Sequence, residues 1–317
     1  MKPFLIKFFA FVIPIVLIAY GADLVISQYL KKSNQYVQGE YSTWNALYDK
    51  NADSQILIPG SSRAWMHFDA TRIGDSLHTK AYNLGMDGYN FWFQKYRLEL
   101  AMRANPRPKL IIMSIDAVTL QKRPDLFNPN QFLPYMLGNA ELEKTSRSFM
   151  GYHDYDYQIP LIRYFSKGDA VIEALKMVFN ESEPKRIRGF QGQLKAWNND
   201  FERVNKQMDS FTVPLDPTTI RIFEDFLKEI KQKKLNIIFV YSPEYIKGQN
   251  FVKNRPEIMA LYNRLSTQYQ IPFFNYSNDP ISYDKKYFFN ASHMNKMGAE
   301  LFTTKLIQDL KTLNIHY

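Results

Sequence analysis

Residues Gln55 to Arg63 read Gln-Ile-Leu-Ile-Pro-Gly-Ser-Ser-Arg. The apolar run Ile56 to Ile58 predicts a short strand buried on both faces, as parallel-sheet strands are. Pro59 and Gly60 end it, and two serines and an arginine follow where a strand would turn into a helix. Open α/β sheets bind their ligands outside the carboxyl ends of the strands. Ser62 is therefore a candidate nucleophile, and its base must come from another loop at the same sheet edge.

Working outward, Ala81-Tyr82-Asn83-Leu84-Gly85 predicts a second short strand, ending in Met86-Asp87-Gly88. A helix is expected over Tyr89 to Ala104, with Phe93, Tyr96 and Leu100 at helical spacing, stopped by Pro106 and Pro108. Lys109 to Asp116 is the clearest third strand. From Val118 to about Leu215 no strand–helix alternation shows, and the stretch reads as a helical, loop-rich insertion. Alternation then resumes. A helix over Pro217 to Lys234 precedes a strand over Asn236 to Tyr241. A helix opened by Pro256 precedes a strand over Ile271 to Tyr276, and a last helix covers about Lys296 to Leu313. The expected fold is α/β, with a parallel five-stranded sheet covered by helices on both faces.

Hydrophobic residues make up 45% of the 317-residue chain and charged residues 22%, which excludes a disordered protein. The net charge of +9 suits an anionic surface or polymer. The basic clusters are short and no basic-aromatic motif accompanies them, so nucleic acid is not an expected partner. The absence of cysteine excludes disulfides, thiolate catalysis and Cys-ligated zinc.

Phe8 to Ala22 carries no charge, and Lys2 and Lys7 precede it. It is short against the roughly 20 residues a membrane span needs, but the apolar stretch Leu24 to Ile26 and a snorkelling Lys7 extend it. Residues 1–30 read as a retained signal anchor, with a cleaved signal or a buried soluble helix as alternatives. The short basic flank predicts a cytoplasmic N-terminus and a body outside the cytoplasm. Residues 31–53 read as a linker with a short helix, and 54–317 as one domain carrying the insertion at about 118–215.

Ser62, Gly88, Asp116 and His293 follow the first, second, third and fifth strands and fall at one sheet edge. A catalytic serine needs a base within hydrogen-bond reach, and acyl transfer needs donors for the developing oxyanion. His293 is the candidate base, and the backbone N–H groups of Ser62 and Gly88 are candidate donors. Arg63 is a candidate for binding an anionic substrate, with a structural pair to Asp87 or Asp116 as the alternative.

These blocks resemble the SGNH (GDSL-type) hydrolase superfamily. Its first block is Gly-Asp-Ser after the first strand, where Gly60-Ser61-Ser62 stands. Its second is an Asn-x-x-x-x-Gly setting, matched by Asn83 to Gly88. Its last is Asp-x-x-His before the final helix, filled by Asn290-Ala291-Ser292-His293. The resemblance covers about residues 54–117 and 235–312. It implies a flavodoxin-like three-layer α/β/α fold and a serine esterase or O-acyltransferase without cofactor. The Gly-Ser-Ser form and the anchor look like the branch that acylates cell-wall polymers and exopolysaccharides beside a membrane-bound O-acyltransferase. The implied substrate is a glycan or cell-wall polymer, and the implied location is the outer side of the membrane.

Two departures stand out. Asp116 takes the place of an oxyanion-hole Asn, and is expected to contact substrate, cap a helix or hold Arg63. Asn290 replaces the Asp that orients the histidine. In a serine-protease triad that change costs about 10⁴ in kcat through the wrong tautomer, yet an amide oxygen can also accept from imidazole. The site is then either a Ser-His dyad with an Asn orienter or a scaffold that no longer turns over. Gly74-Asp75-Ser76-Leu77 spells the family signature but follows no strand, and reads as a helix end. His67 and His78 read as surface or packing residues. His153, Asp154 and Asp156 are too few to argue a metal site.

Overall fold

Three-residue β1 (Ile56–Ile58) is fully buried, as its unbroken apolar run requires. In the computed structural model, which describes residues 2–88, 91–180, 182–313 and 315, β1 pairs in parallel with β2 (Ala81–Asn83) on one side and β3 (Leu110–Ser114) on the other. Strands β4 (Ile237–Tyr241) and β5 (Phe273–Asn275) complete an all-parallel sheet of order β2-β1-β3-β4-β5. This is the flavodoxin-like order, and its topological switch point lies between β1 and β3. β1 matches its apolar run, and β2 to β5 are shorter than the expected strands by one to three residues, because pairing stops where the chain turns towards the next helix.

The chain parts into two units, residues 1–45 with 124–185, and residues 46–123 with 186–317. The second holds the sheet. Successive strand residues point to opposite faces. On one face Ile56, Ile58, Ile112, Ile238 and Val240 meet Phe68, Ile73, Phe302 and Leu306, from around the helices Ala70–Ser76 and Lys296–Thr312. On the other, Phe239 packs beside Phe223 and Tyr262, and Phe223 beside Phe91. Phe91, Phe223 and Tyr262 belong to helices Phe91–Ala104, Pro217–Gln232 and Arg255–Tyr269. The expected helices are therefore present, capped where their sequences provide for it. Asp69 accepts from the Arg72 N–H and Asp216 from the Thr219 N–H. Gly74, Asp75 and Ser76 close a helix, so the literal family signature is not at a strand end. The expected start of the third-layer helix at Tyr89 lies outside the described residues.

In the first unit, a 29-residue helix, Lys2–Leu30, is long and apolar enough to cross a membrane. At 1.5 Å per residue it measures about 43 Å. Its apolar side chains are exposed from Phe4 to Val25, whereas Asp23, Ser27 and Leu30 are buried. The Asp23 carboxylate receives both Nη groups of Arg163 at 2.6 Å and the Leu161 N–H at 2.7 Å. Beyond the helix, Trp44 stacks edge-on to Phe132, and its indole N–H donates to Gln131 at 3.0 Å. The expected linker is thus partly a packed helix, Glu40–Tyr48. Residues 124–185 of the expected insertion belong to this unit and 186–215 to the sheet unit.

Glycine at position 85 is required by contact. A Cβ there would lie 2.4 Å from the Trp65 nitrogen and 2.8 Å from the Ala64 Cβ, so the loop after β2 presses on the short helix Ser62–His67. Gly85→Ala is expected to cost about 1–3 kcal/mol by overpacking. A urea melt would show a lower midpoint at unchanged slope.

Candidate active site

Ser62 opens a two-turn helix, Ser62–His67, whose N-cap is Ser61. The Ser61 hydroxyl accepts the Arg63 N–H at 3.2 Å and donates to Asp116 at 2.5 Å. The Ser62 N–H lies in the first turn and has no intrahelical acceptor. From the other side, the Asn83 amide donates to the carbonyls of Ala64 and Phe68 at 2.8 and 2.9 Å, and its oxygen accepts the Gly85 N–H at 2.9 Å. Both Asn83 and Gly85, from the second sequence block, thus fix the helix that carries Ser62.

His293 arrives from the far end of the chain, 231 positions away. The Ser62 Oγ stands 2.8 Å from its Nε2. Its Nδ1 stands 3.0 Å from the Asn290 Oδ1. The same oxygen accepts the Ser292 N–H at 3.0 Å and the His293 N–H at 2.9 Å. This is an Asx-type turn, and it explains the Asn-x-x-His spacing, since one side-chain oxygen reaches both backbone donors and the ring. It also settles two assignments usually ambiguous in a structure. An Asn NH₂ facing two backbone N–H groups would be repelled, so the oxygen faces them. The ring nitrogen beside that oxygen must then be the donor. His293 is therefore the Nδ1–H tautomer, with the Nε2 lone pair turned to the Ser62 hydroxyl. Phe289 stacks on the ring at 5.5 Å and 12°.

A second histidine holds this loop. His67, at the other end of the Ser62 helix, is fully buried. Its Nε2 accepts the Met294 N–H at 2.9 Å, so its Nδ1 carries the proton and donates to the Ser242 Oγ at 2.8 Å. One short helix thereby presents Ser62 at its start and clamps the neighbour of His293 at its end. The reading of His67 as a surface or packing residue misses this role, while His78 is indeed exposed. Ser242 and Glu244 are also absent from the sequence-derived set, although they follow β4 at the same sheet edge, where the topology directs attention.

Arg63 and Asp116, expected as substrate contacts, both make their hydrogen bonds and ion pairs within the protein. Arg63 is 4% exposed. Its guanidinium donates to the Ser242 carbonyl and hydroxyl, pairs with Glu244 at 3.0 Å and lies over the Tyr241 ring at 4.7 Å. The alternative expectation, a pair with Asp87 or Asp116, is replaced by the pair with Glu244. The Asp116 side chain accepts from Ser61, from the Thr119 hydroxyl and from the Val118 N–H, the last two at 3.0 Å. Every contact is inside the protein. Gly88 has φ +81°, in the region that favours glycine. Its neighbour Asp87 accepts from the Trp65 indole at 2.9 Å and lies 3.7 Å from Arg186, whose guanidinium covers the Trp65 ring. The loop ending in Gly88 is in this way tied to the Ser62 helix.

No protein-family model matches the chain, and no curated protein sequence does. The arrangement itself carries the chemical reading. A neutral imidazole with its free lone pair on a hydroxyl has the geometry by which a general base can activate a nucleophile. Burial, followed by the positive charges of Arg63 and Lys195, pushes the pKa of His293 down from 6.5 to about 3. Burial, then Arg63 and His293, holds that of His67 well below 6.5.

Both shifts are downward, so the unfolded chain binds these protons more readily than the folded one. Stability from the two rings is complete above about pH 6.5, the unfolded value. It falls as the pH drops from there towards the folded values. Urea midpoints measured from pH 7 down to pH 4 are expected to decline, and His67→Asn is expected to flatten that decline.

Proposed function

We propose that the chain is a serine esterase or O-acyltransferase of the SGNH kind, acting on acyl groups of a glycan or cell-wall polymer. The observation that carries this reading is the 2.8 Å approach of the Ser62 Oγ to a His293 whose other nitrogen is held by Asn290. The flavodoxin-like strand order and the position of Ser62 after β1 support the superfamily assignment. The apolar helix Lys2–Leu30 supports an anchor, with the sheet unit on the outer side of the membrane.

In this mechanism the Ser62 oxygen bonds to the acyl carbonyl carbon as its proton passes to the His293 Nε2. The carbonyl oxygen takes the electron pair and is met by the N–H groups of Ser62 and Gly88. Collapse breaks the ester bond, and the departing oxygen takes the proton from Nε2. Water, or an acceptor hydroxyl of the polymer, then attacks the acyl-serine carbon and gives its proton to Nε2, and collapse breaks the bond to Ser62, whose oxygen takes that proton back as the acyl group leaves on the acceptor. An esterase and a transferase differ only in that acceptor.

Asp116 favours a second reading, a catalytically inactive SGNH-fold scaffold that partners a membrane-bound O-acyltransferase. A carboxylate stands where an oxyanion-hole amide is expected, and it accepts hydrogen bonds from Ser61 and Thr119 instead of donating one.

A fluorophosphonate probe separates the two. Under the enzymatic reading, intact mass shows one adduct, mapped to Ser62 and absent in Ser62→Ala. In His293→Ala labelling slows by about 10²–10⁴, the usual share of a general base. No adduct on folded protein supports the scaffold. If the site turns over, the acid limb of kcat/KM lies below pH 6.5, because His293 must be neutral to act. Asn290→Asp adds a negative charge beside the ring, raises its pKa and moves that limb to higher pH.

A further inference from the structure

The helix Gly168–Phe179 has its polarity arranged the wrong way round for water. Its charged residues are engaged within its own unit. Asp169 accepts from the Tyr36 hydroxyl at 2.7 Å and Glu173 from the Ser33 hydroxyl at 2.6 Å. Its small and flexible residues Ala170, Ala174 and Met177 are buried, and it packs along the apolar helix Lys2–Leu30. The outward face is Ile172, Leu175 and Phe179, at the i, i+3, i+7 spacing of one helical stripe. These are 56%, 61% and 87% exposed, and Phe165, just before the helix, is 81% exposed. A helix on an ordinary protein surface turns its polar side outward. Contiguous apolar exposure of this kind marks an interaction site.

We infer that this helix lies in the membrane interface, with Phe165, Ile172, Leu175 and Phe179 seated in the lipid beside the anchor. The inference rests on the reading of Lys2–Leu30 as a membrane anchor and extends it from a single tether to a seated unit. Two observations select the bilayer as occupant. The stripe belongs to a helix packed directly on the apolar helix, so its surface continues one already long and apolar enough to span. The charge beside the stripe is Lys176, 3.5 Å from Glu173 and 61% exposed, and a lysine stem can lie on apolar surface with its ammonium at the headgroup level. Lys167 precedes the helix, and Lys31 and Lys32, whose ammonium groups lie over the Tyr135 and Tyr29 rings, follow the apolar one. The consequence is a fixed height: the first unit is held at the surface by two elements, the anchor and the interfacial helix.

The chain has no cysteine, so single-Cys variants carry one environment-sensitive label each. The full-length variants Ile172→Cys, Leu175→Cys, Phe179→Cys, Leu17→Cys in the anchor and Lys144→Cys on the polar helix Ala140–Ser146 are reconstituted in phosphatidylcholine–phosphatidylglycerol vesicles. The quencher is phosphatidylcholine spin-labelled high on its acyl chain. Labels at 172, 175 and 179 are expected to be quenched to within about twofold of the label at 17, at the shallow depth of an interfacial helix, while the label at 144 stays bright. Quenching at 17 with none at 172, 175 or 179 overturns the interfacial helix and leaves the anchor standing. No quenching at any of the four overturns both. A blue-shifted but unquenched stripe also overturns the inference, and assigns the face to a protein partner or a second copy.

Discussion

The Met294 N–H donates to a histidine 227 positions earlier in the chain, and the geometry of the site depends on that bond. His67 closes the helix that Ser62 opens, so the loop of His293 is fastened to the same six residues that present Ser62. A parallel sheet brings strand ends to one edge, but loops leave those ends in many directions. The His67 clamp removes that freedom for the loop bearing His293. Its net worth as a hydrogen bond is about 1 kcal/mol, but leaving Met294 N–H buried and unpaired would cost about 1–3 kcal/mol. Arg63 completes the support by binding Ser242, the second partner of His67, to the same helix.

Asn290 shows how a departure from a familiar pattern keeps the local chemistry. An Asp orients a histidine by charge as well as by hydrogen bonding. Here orientation comes from backbone geometry, because two amide donors fix the Asn oxygen and the oxygen fixes the ring. What is lost is the anion that would stabilise an imidazolium. The burial of the ring and the nearby charges of Arg63 and Lys195 act against protonation. The ring is held neutral, with its Nε2 lone pair facing the Ser62 hydroxyl.

Part of this is legible in the sequence. Buried parallel strands are short apolar runs, and Ile56–Ile58 and Ile237–Tyr241 announce themselves by that pattern. The Asn-x-x-His spacing carries its own geometry, since an Asx turn acts over three residues. Other features had no local signal. Asp23 and Arg163 meet across 140 positions, and nothing in either neighbourhood points to the other. That is why residues 124–185 read as an insertion instead of as the partner of the N-terminal segment. Arg63 and Asp116 looked available because sequence shows charge but not burial. His67 carries no local signal, because its strand-end partner, Ser242, is an ordinary serine until the sheet is closed.

The central claim is that Asn290 holds His293 in the Nδ1–H form with Nε2 open to Ser62. Nitrogen-15 NMR of the imidazole at neutral pH measures this directly. The account predicts a protonated, pyrrole-like Nδ1 and a bare, pyridine-like Nε2 shifted by the Ser62 hydroxyl, with the shift lost in Ser62→Ala. A proton found on Nε2, or on both nitrogens at pH 7, would contradict it.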